Sequence, residues 1–170
     1  MSKERNPEIY LDCDGVILSR EPFENEIQKV GIDNWSEHIV RRLADVAAHK
    51  TWLTTWGESE ITQLEKIFGL AETLANYRLS RSSGCRGFGS SHLLDWKLEL
   101  IDRDQKDNLR PFVWIDDNID DEMRAKVESK FDAKQPHLLL SPETRFGLQP
   151  EHLDAVEEFV KNHQQNTLAN

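Results

Sequence analysis

Short apolar runs alternate along the chain with longer stretches in which apolar residues recur every three or four positions. The run EIYLD at 8–12 reads as a buried strand. NWSEHIVRRLADVAAH at 34–49 carries Ile39, Leu43, Val46 and Ala47 at helical spacing, with Asn34 or Ser36 as its cap. KTWLTTW at 50–56 predicts a second strand. SEITQLEKIFGL at 59–70 predicts a helix with Ile61, Leu64, Ile67 and Phe68 on one face and Gly69 at its end. A third strand follows at 75–80, then a Gly- and Ser-rich loop at 81–91 and a helix at 92–103. RPFVWIDD at 110–117 is a fourth strand, 120–131 a helix and HLLLS at 137–141 a fifth strand. The last helix begins at Pro150, with Glu151 near its positive end and Leu153, Val156, Phe159 and Val160 on one face. The tail from His163 reads as frayed.

This order implies an α/β fold: a three-layer, Rossmann-like parallel sheet of five core strands with helices on both faces. Residues 1–165 read as a single domain and 166–170 as a frayed tail. Right-handed crossovers bring the C-terminal ends of all parallel strands to one edge, where such folds bind ligands. The polar residues ending the strands are Asp12 and Asp14, Thr54 and Thr55, and Asp116 and Asp117. The topology should gather them.

Composition narrows the partners. The formal charge is −10, from 31 acidic and 21 basic residues, which argues against a large generic nucleic-acid surface. Cys13 and Cys85 are too few for a disulfide framework, and MSKERNPE lacks the apolar core of a leader. No apolar run is long enough to cross a bilayer. A cytoplasmic protein that does not enter the membrane is expected; the sequence leaves its oligomeric state open.

Four carboxylates at one edge need a counter-charge. Two like charges about 4 Å apart repel by about 4 kcal/mol at an effective dielectric of 20. Either a carboxyl takes up a proton or a cation sits among them. An all-oxygen cluster of few ligands suits Mg²⁺, which keeps several waters and often binds a substrate phosphate. Lys97 stands among Leu93, Leu94, Leu98 and Ile101, so it can bury its stem and present its charge to a phosphate.

In this order, YLDCDGVI, WLTT, DWK and VWIDDNIDD resemble the four motifs of the haloacid-dehalogenase-like (HAD) superfamily. The first is Asp-x-Asp followed by Gly, the second a Thr or Ser after a strand, the third a helical lysine and the fourth an acidic pair. The wording WLTTW and WIDD is similar to a small HAD-like group of bacteria and phages, some of it near RNA-repair proteins. The resemblance covers roughly residues 8 to 160. It implies a HAD-like fold and a Mg²⁺-dependent phosphomonoesterase. Asp12 would be the nucleophile that forms an aspartyl-phosphate, and Asp14 the general acid and then base. Thr54 would bond a phosphoryl oxygen, and Lys97 would neutralise charge. The metal would be held by Asp12, the backbone carbonyl of Asp14, Asp116 and Asp117. Thr55 remains a rival to Thr54, and Asp121 to Asp117. The second aspartate favours phosphoester hydrolysis over dehalogenation.

The intervals 15–53 and 55–96 are too short for a large cap domain once the expected elements are placed, so the site should be open to a bulky phosphorylated substrate. Arg81 and Arg86 could bind a second anionic group there, or be ordinary loop arginines. Trp56 could stack on a base or sugar. The alternatives to a general phosphatase are a nucleotide or nucleic-acid end-processing phosphatase, engaging strand ends and not an extended track, and a non-catalytic binding module on the same fold. DDNIDDE mimics a calcium loop but lacks its glycine, and GCRGFG lacks the spacing of a dinucleotide or phosphate loop.

Overall fold

In a computed structural model, residues 6–21, 28–30, 33–70, 72, 74–75, 77–79, 94–131 and 135–165 are described. Their elements run β1 (Glu8–Leu11), β2 (Gln28–Val30), β3 (Asp33–Trp35), α1 (Glu37–Asp45), β4 (His49–Leu53), α2 (Glu58–Phe68), β5 (Tyr77–Leu79), α3 (Asp95–Asp107), β6 (Phe112–Ile115), α4 (Asp121–Lys130), β7 (His137–Leu140) and α5 (Pro150–Gln165). Five strands form one sheet in the order β5-β4-β1-β6-β7, every pairing parallel. The expected three-layer α/β plan is thus present.

Strand alternation splits the core in two. Ile9, Leu11, Trp52, Val113 and Ile115 pack with α1, α2 and α5, through residues such as Leu43, Leu64 and Val156. Tyr10, Leu53, Phe112 and Trp114 pack with α3 and α4, through Leu98, Ile101, Met123 and Val127. The central strands β1 and β6 are buried along their whole length, as a sheet covered on both faces requires. Where the strands begin, away from the ends that carry Asp12 and Asp116, Glu8 is 1% exposed. It accepts a hydrogen bond from Thr51 Oγ1 at 2.7 Å and pairs with Arg110 at 2.6 Å.

Several boundaries differ from the periodicity reading. The expected helix at 34–49 covers only Glu37–Asp45, because Asn34 and Trp35 belong to β3, which forms an antiparallel hairpin with β2. Asn34 does not cap the helix. Its backbone pairs with Ser19, and its side-chain amide donates to Arg20 O at 3.1 Å. Ser36 is the cap, accepting from Ile39 N. The strand expected at 50–56 ends at Leu53, so both threonines lie past it. Helix α2 starts after Gly57, and α3 runs on to Asp107. The residues from His163 are not frayed as far as Gln165. The His163 ring lies 4.3 Å from that of Phe159 and bonds its carbonyl oxygen, which extends α5 by one turn. Residues 166–170 and the loop at 81–91 lie outside the described residues. Among the described residues, the two intervals that could hold a cap contain the β2–β3 hairpin and α1, then α2 and β5, and no helix is long and apolar enough to cross a membrane.

Candidate active site

Strand register sets the centre of the site. β1 and β6 align Leu11 with Ile115, so the next residues, Asp12 and Asp116, leave the sheet side by side. Alternation turns both toward the α3 layer, the side occupied by Tyr10 and Trp114. Lys97, in the first turn of α3, meets them there. Its Nζ lies 2.8 Å from Asp12 Oδ2 and 2.5 Å from Asp116 Oδ2. A lysine so near a helix N-terminus opposes the helix dipole; the two carboxylates offset that cost. Lys97 is 3% exposed, Asp12 8% and Asp116 0%. The other oxygens are also satisfied: Cys13 N donates to Asp12 Oδ1 at 2.8 Å, and Asn118 N to Asp116 Oδ1 at 3.0 Å. Burial nevertheless pushes the Asp116 carboxyl up from its ordinary range; the Lys97 ammonium opposes this and the Asp12 carboxylate adds to it.

After Asp12 the chain turns sharply. Cys13 O accepts from both Ile17 N and Leu18 N at 3.0 Å. Gly15 sits inside this turn at φ 68°, and a Cβ there would fall 2.1 Å from Asp117 Oδ2. Only glycine fits, for backbone and for space. Asp117 is therefore packed against the first motif. Its Oδ1 accepts from Asn118 Nδ2 and its Oδ2 from Thr144 Oγ1, each at 2.6 Å, while Ser141 Oγ donates to its backbone carbonyl at 3.3 Å. Asp12, Asp116 and Asp117 each bring one carboxylate oxygen within 4.8 Å of the others.

This donor set fits a small hard cation. Three carboxylates cluster where one ammonium contacts two of them, the donors are all oxygen, and they are too few to complete a coordination sphere without water or substrate. Asp117, and not Asp121, belongs to the cluster; Asp121 is exposed in the first turn of α4, and Asp120 caps that helix through Met123 N. Cys13 is buried in the core on the α1, α2 and α5 side of the sheet and does not belong to the cluster.

Asp14 stands at the mouth. Its side chain is exposed to solvent, yet the protein around it still raises its carboxyl. Partial burial is the largest cause, Asp12, Asp33 and Asp117 add to it, and a hydrogen bond from Trp56 opposes it. That bond runs from Trp56 Nε1 to Asp14 Oδ2 at 2.8 Å. Thr54 is fully buried just past β4, and its hydroxyl oxygen accepts from Trp56 N at 3.3 Å. Thr55 is exposed.

The structure thus brings Asp12, Lys97, Asp116 and Asp117 together, with Asp14 beside them. Arg81 and Arg86 lie outside the described residues. Two participants were not read from the sequence. Trp56 was weighed only as a stacking surface, whereas its ring nitrogen holds Asp14; a tryptophan just past a strand was the signal. Thr144 gave no signal, being one hydroxyl in a loop.

No curated protein sequence matches the chain. Residues 8–153 match the family described as "HAD domain in Swiss Army Knife RNA repair proteins". The match begins in β1, ends in α5, and spans all the motif residues above. The chain therefore belongs to the HAD-like superfamily, as a HAD domain of the kind found in Swiss Army Knife RNA repair proteins.

Proposed function

We propose that the protein is a Mg²⁺-dependent phosphohydrolase that opens phosphomonoesters through an aspartyl-phosphate on Asp12. The observation that carries this is the buried Lys97 ammonium bridging Asp12 and Asp116, with Asp117 completing the carboxylate cluster. Asp12, Asp116, Asp117 and the Asp14 carbonyl would hold Mg²⁺, which neutralises charge on a phosphoryl group when bound.

Asp12 has one oxygen fixed by Cys13 N and the other by Lys97, so the nucleophile is oriented before substrate arrives. It attacks phosphorus, and the P–O bond to the leaving group breaks. Asp14 gives its proton to the departing oxygen, which leaves as an alcohol. The raised Asp14 carboxyl suits this task, because it retains its proton to higher pH than a free aspartate does. Asp14, now ionised, takes a proton from water, which attacks the aspartyl-phosphate and releases phosphate. Lys97 offsets negative charge on Asp12 and the phosphoryl group throughout. Thr54 Oγ1 accepts from Trp56 N, which leaves its own proton for a phosphoryl oxygen seated deep in the site. Thr55, at the exposed mouth, is its rival. Arg81 and Arg86 are candidates for a second anionic group of the substrate.

Hydrolysis of p-nitrophenyl phosphate with Mg²⁺ and with EDTA tests the reading. Asp12→Asn should abolish turnover, and Asp14→Asn should slow it while still allowing phosphate to become attached to the protein. Equal activity of wild type and Asp12→Asn, or inertness of wild type across a broad phosphoester panel, would leave a binding module as the better account.

The family description favours a narrower reading, in which the ester is an RNA end. A net charge of −10 suits a terminal phosphate better than a long nucleic-acid track. Comparing 3′- and 5′-phosphorylated oligoribonucleotides with mononucleotides tests it; a preference for mononucleotides would sink it.

A further inference from the structure

We propose that Trp56 is the positioning residue for Asp14: its indole N–H holds one carboxylate oxygen, so that the other is aimed at the leaving group. This rests on phosphoester hydrolysis at Asp12.

Asp14 follows the end of β1, is exposed, and has a short side chain with two free torsions. Left alone, such a carboxylate samples several rotamers. Trp56 has no such freedom. Its backbone N donates to Thr54 Oγ1 at 3.3 Å, and the next residue, Gly57, donates its N to Glu60 Oε2 at 2.5 Å, which ties the loop to the start of α2. Its ring, partly buried, packs against the core on the α1, α2 and α5 side of the sheet. From this fixed base, Nε1 reaches Asp14 Oδ2 at 2.8 Å. With Oδ2 engaged, Oδ1 is the oxygen left to pass a proton to the departing group. General acid catalysis depends on that alignment, and small misplacements are costly. Trp56 also ties Asp14 to Thr54, so one residue sets the spacing between the proton donor and the base of the phosphoryl pocket.

The test uses leaving groups. A p-nitrophenolate departs with little help from an acid, whereas the alkoxide of glycerol 2-phosphate needs full protonation. kcat/KM reports phosphoryl transfer to Asp12 and not the later hydrolysis. Trp56→Phe keeps an aromatic ring and removes the donor. It should lower kcat/KM for glycerol 2-phosphate by about 10- to 100-fold, the worth of a hydrogen bond to a charged group, and change that for p-nitrophenyl phosphate less than about threefold. In an Asp14→Asn background the same substitution should add nothing for either ester, the 10- to 100-fold loss on glycerol 2-phosphate included. Trp56→His, which restores a ring N–H, should recover part of the alkyl-ester rate. Equal losses on both esters, or a full further loss in the Asp14→Asn background, would overturn the role of Trp56 while leaving hydrolysis at Asp12 intact. A wild type inert toward both esters and across the broad phosphoester panel, phosphorylated oligoribonucleotides included, would remove the hydrolase reading and this inference with it.

Discussion

Replacing Lys97 with methionine isolates the interaction on which the site depends. Methionine keeps the buried stem and removes the ammonium. Two contacts vanish, at 2.8 Å to Asp12 and 2.5 Å to Asp116, and both partners are almost wholly buried. A hydrogen bond to a charged group is worth about 1.5–3 kcal/mol, which gives roughly 3–6 kcal/mol for the pair. Removing one partner of a buried ionic cluster costs about 3–5 kcal/mol by a separate measure, because the remaining charges stay buried. The expected destabilisation in EDTA at neutral pH is therefore about 4 kcal/mol, or roughly 10 °C in Tm for a chain of this size. The sign with pH follows from the same charges. Asp116 is already raised by burial, and without Lys97 it rises further. The variant's folded state then binds protons that the wild type's does not, so acidification should narrow the gap. Mg²⁺ should narrow it too, raising the Tm of Lys97→Met more than that of wild type, since a cation then fills the lost role. Chemical denaturation in EDTA at two pH values, followed by a Mg²⁺ titration of Tm, measures all three effects. A variant within about 1 kcal/mol of wild type in EDTA, or a gap that widens on acidification, would refute the reasoning.

Other outcomes follow from single contacts. Gly15→Ala places a methyl where Asp117 Oδ2 stands and in a left-handed backbone, so calorimetry should show weaker Mg²⁺ binding together with about 2 kcal/mol of lost stability. Thr144→Val removes the hydroxyl on Asp117 Oδ2 and should weaken Mg²⁺ binding about 10-fold with little change in Tm in EDTA. Thr54→Val should raise KM for p-nitrophenyl phosphate and lower kcat if Thr54 bonds the phosphoryl group, with Thr55→Val near wild type; the reverse pattern would assign that bond to Thr55. Burial pushes Glu8 from 4.5 up to about 7. A carboxyl raised on folding stabilises most below its unfolded value and loses that contribution as pH rises through its folded one. The wild type should accordingly lose about 3 kcal/mol relative to Glu8→Gln between about pH 4.5 and 7.5, read by urea unfolding.

The sequence by itself determined the layer plan and the motif order. Apolar runs such as FVWI read as buried strands, and the alternation of strands with amphipathic stretches implied a parallel sheet whose C-terminal edge collects Asp12, Thr54 and Asp116. Lys97 was legible because a lone cation on an apolar helix face has few reasons to be there. Tertiary structure alone decided the rest. The β2–β3 hairpin is three residues a side and follows no strong alternation, so periodicity missed it and began the helix at Asn34. Asp117 was separated from Asp121 by register and by Gly15, against which Asp117 packs. The partners that fix the carboxylates lie far off in the chain: Trp56 is 42 residues from Asp14, and Thr144 is 27 from Asp117. Periodicity reports which layer a residue faces, because that depends on its neighbours. A hydrogen bond between two loops depends on where each loop comes to rest, and no local pattern carries that information.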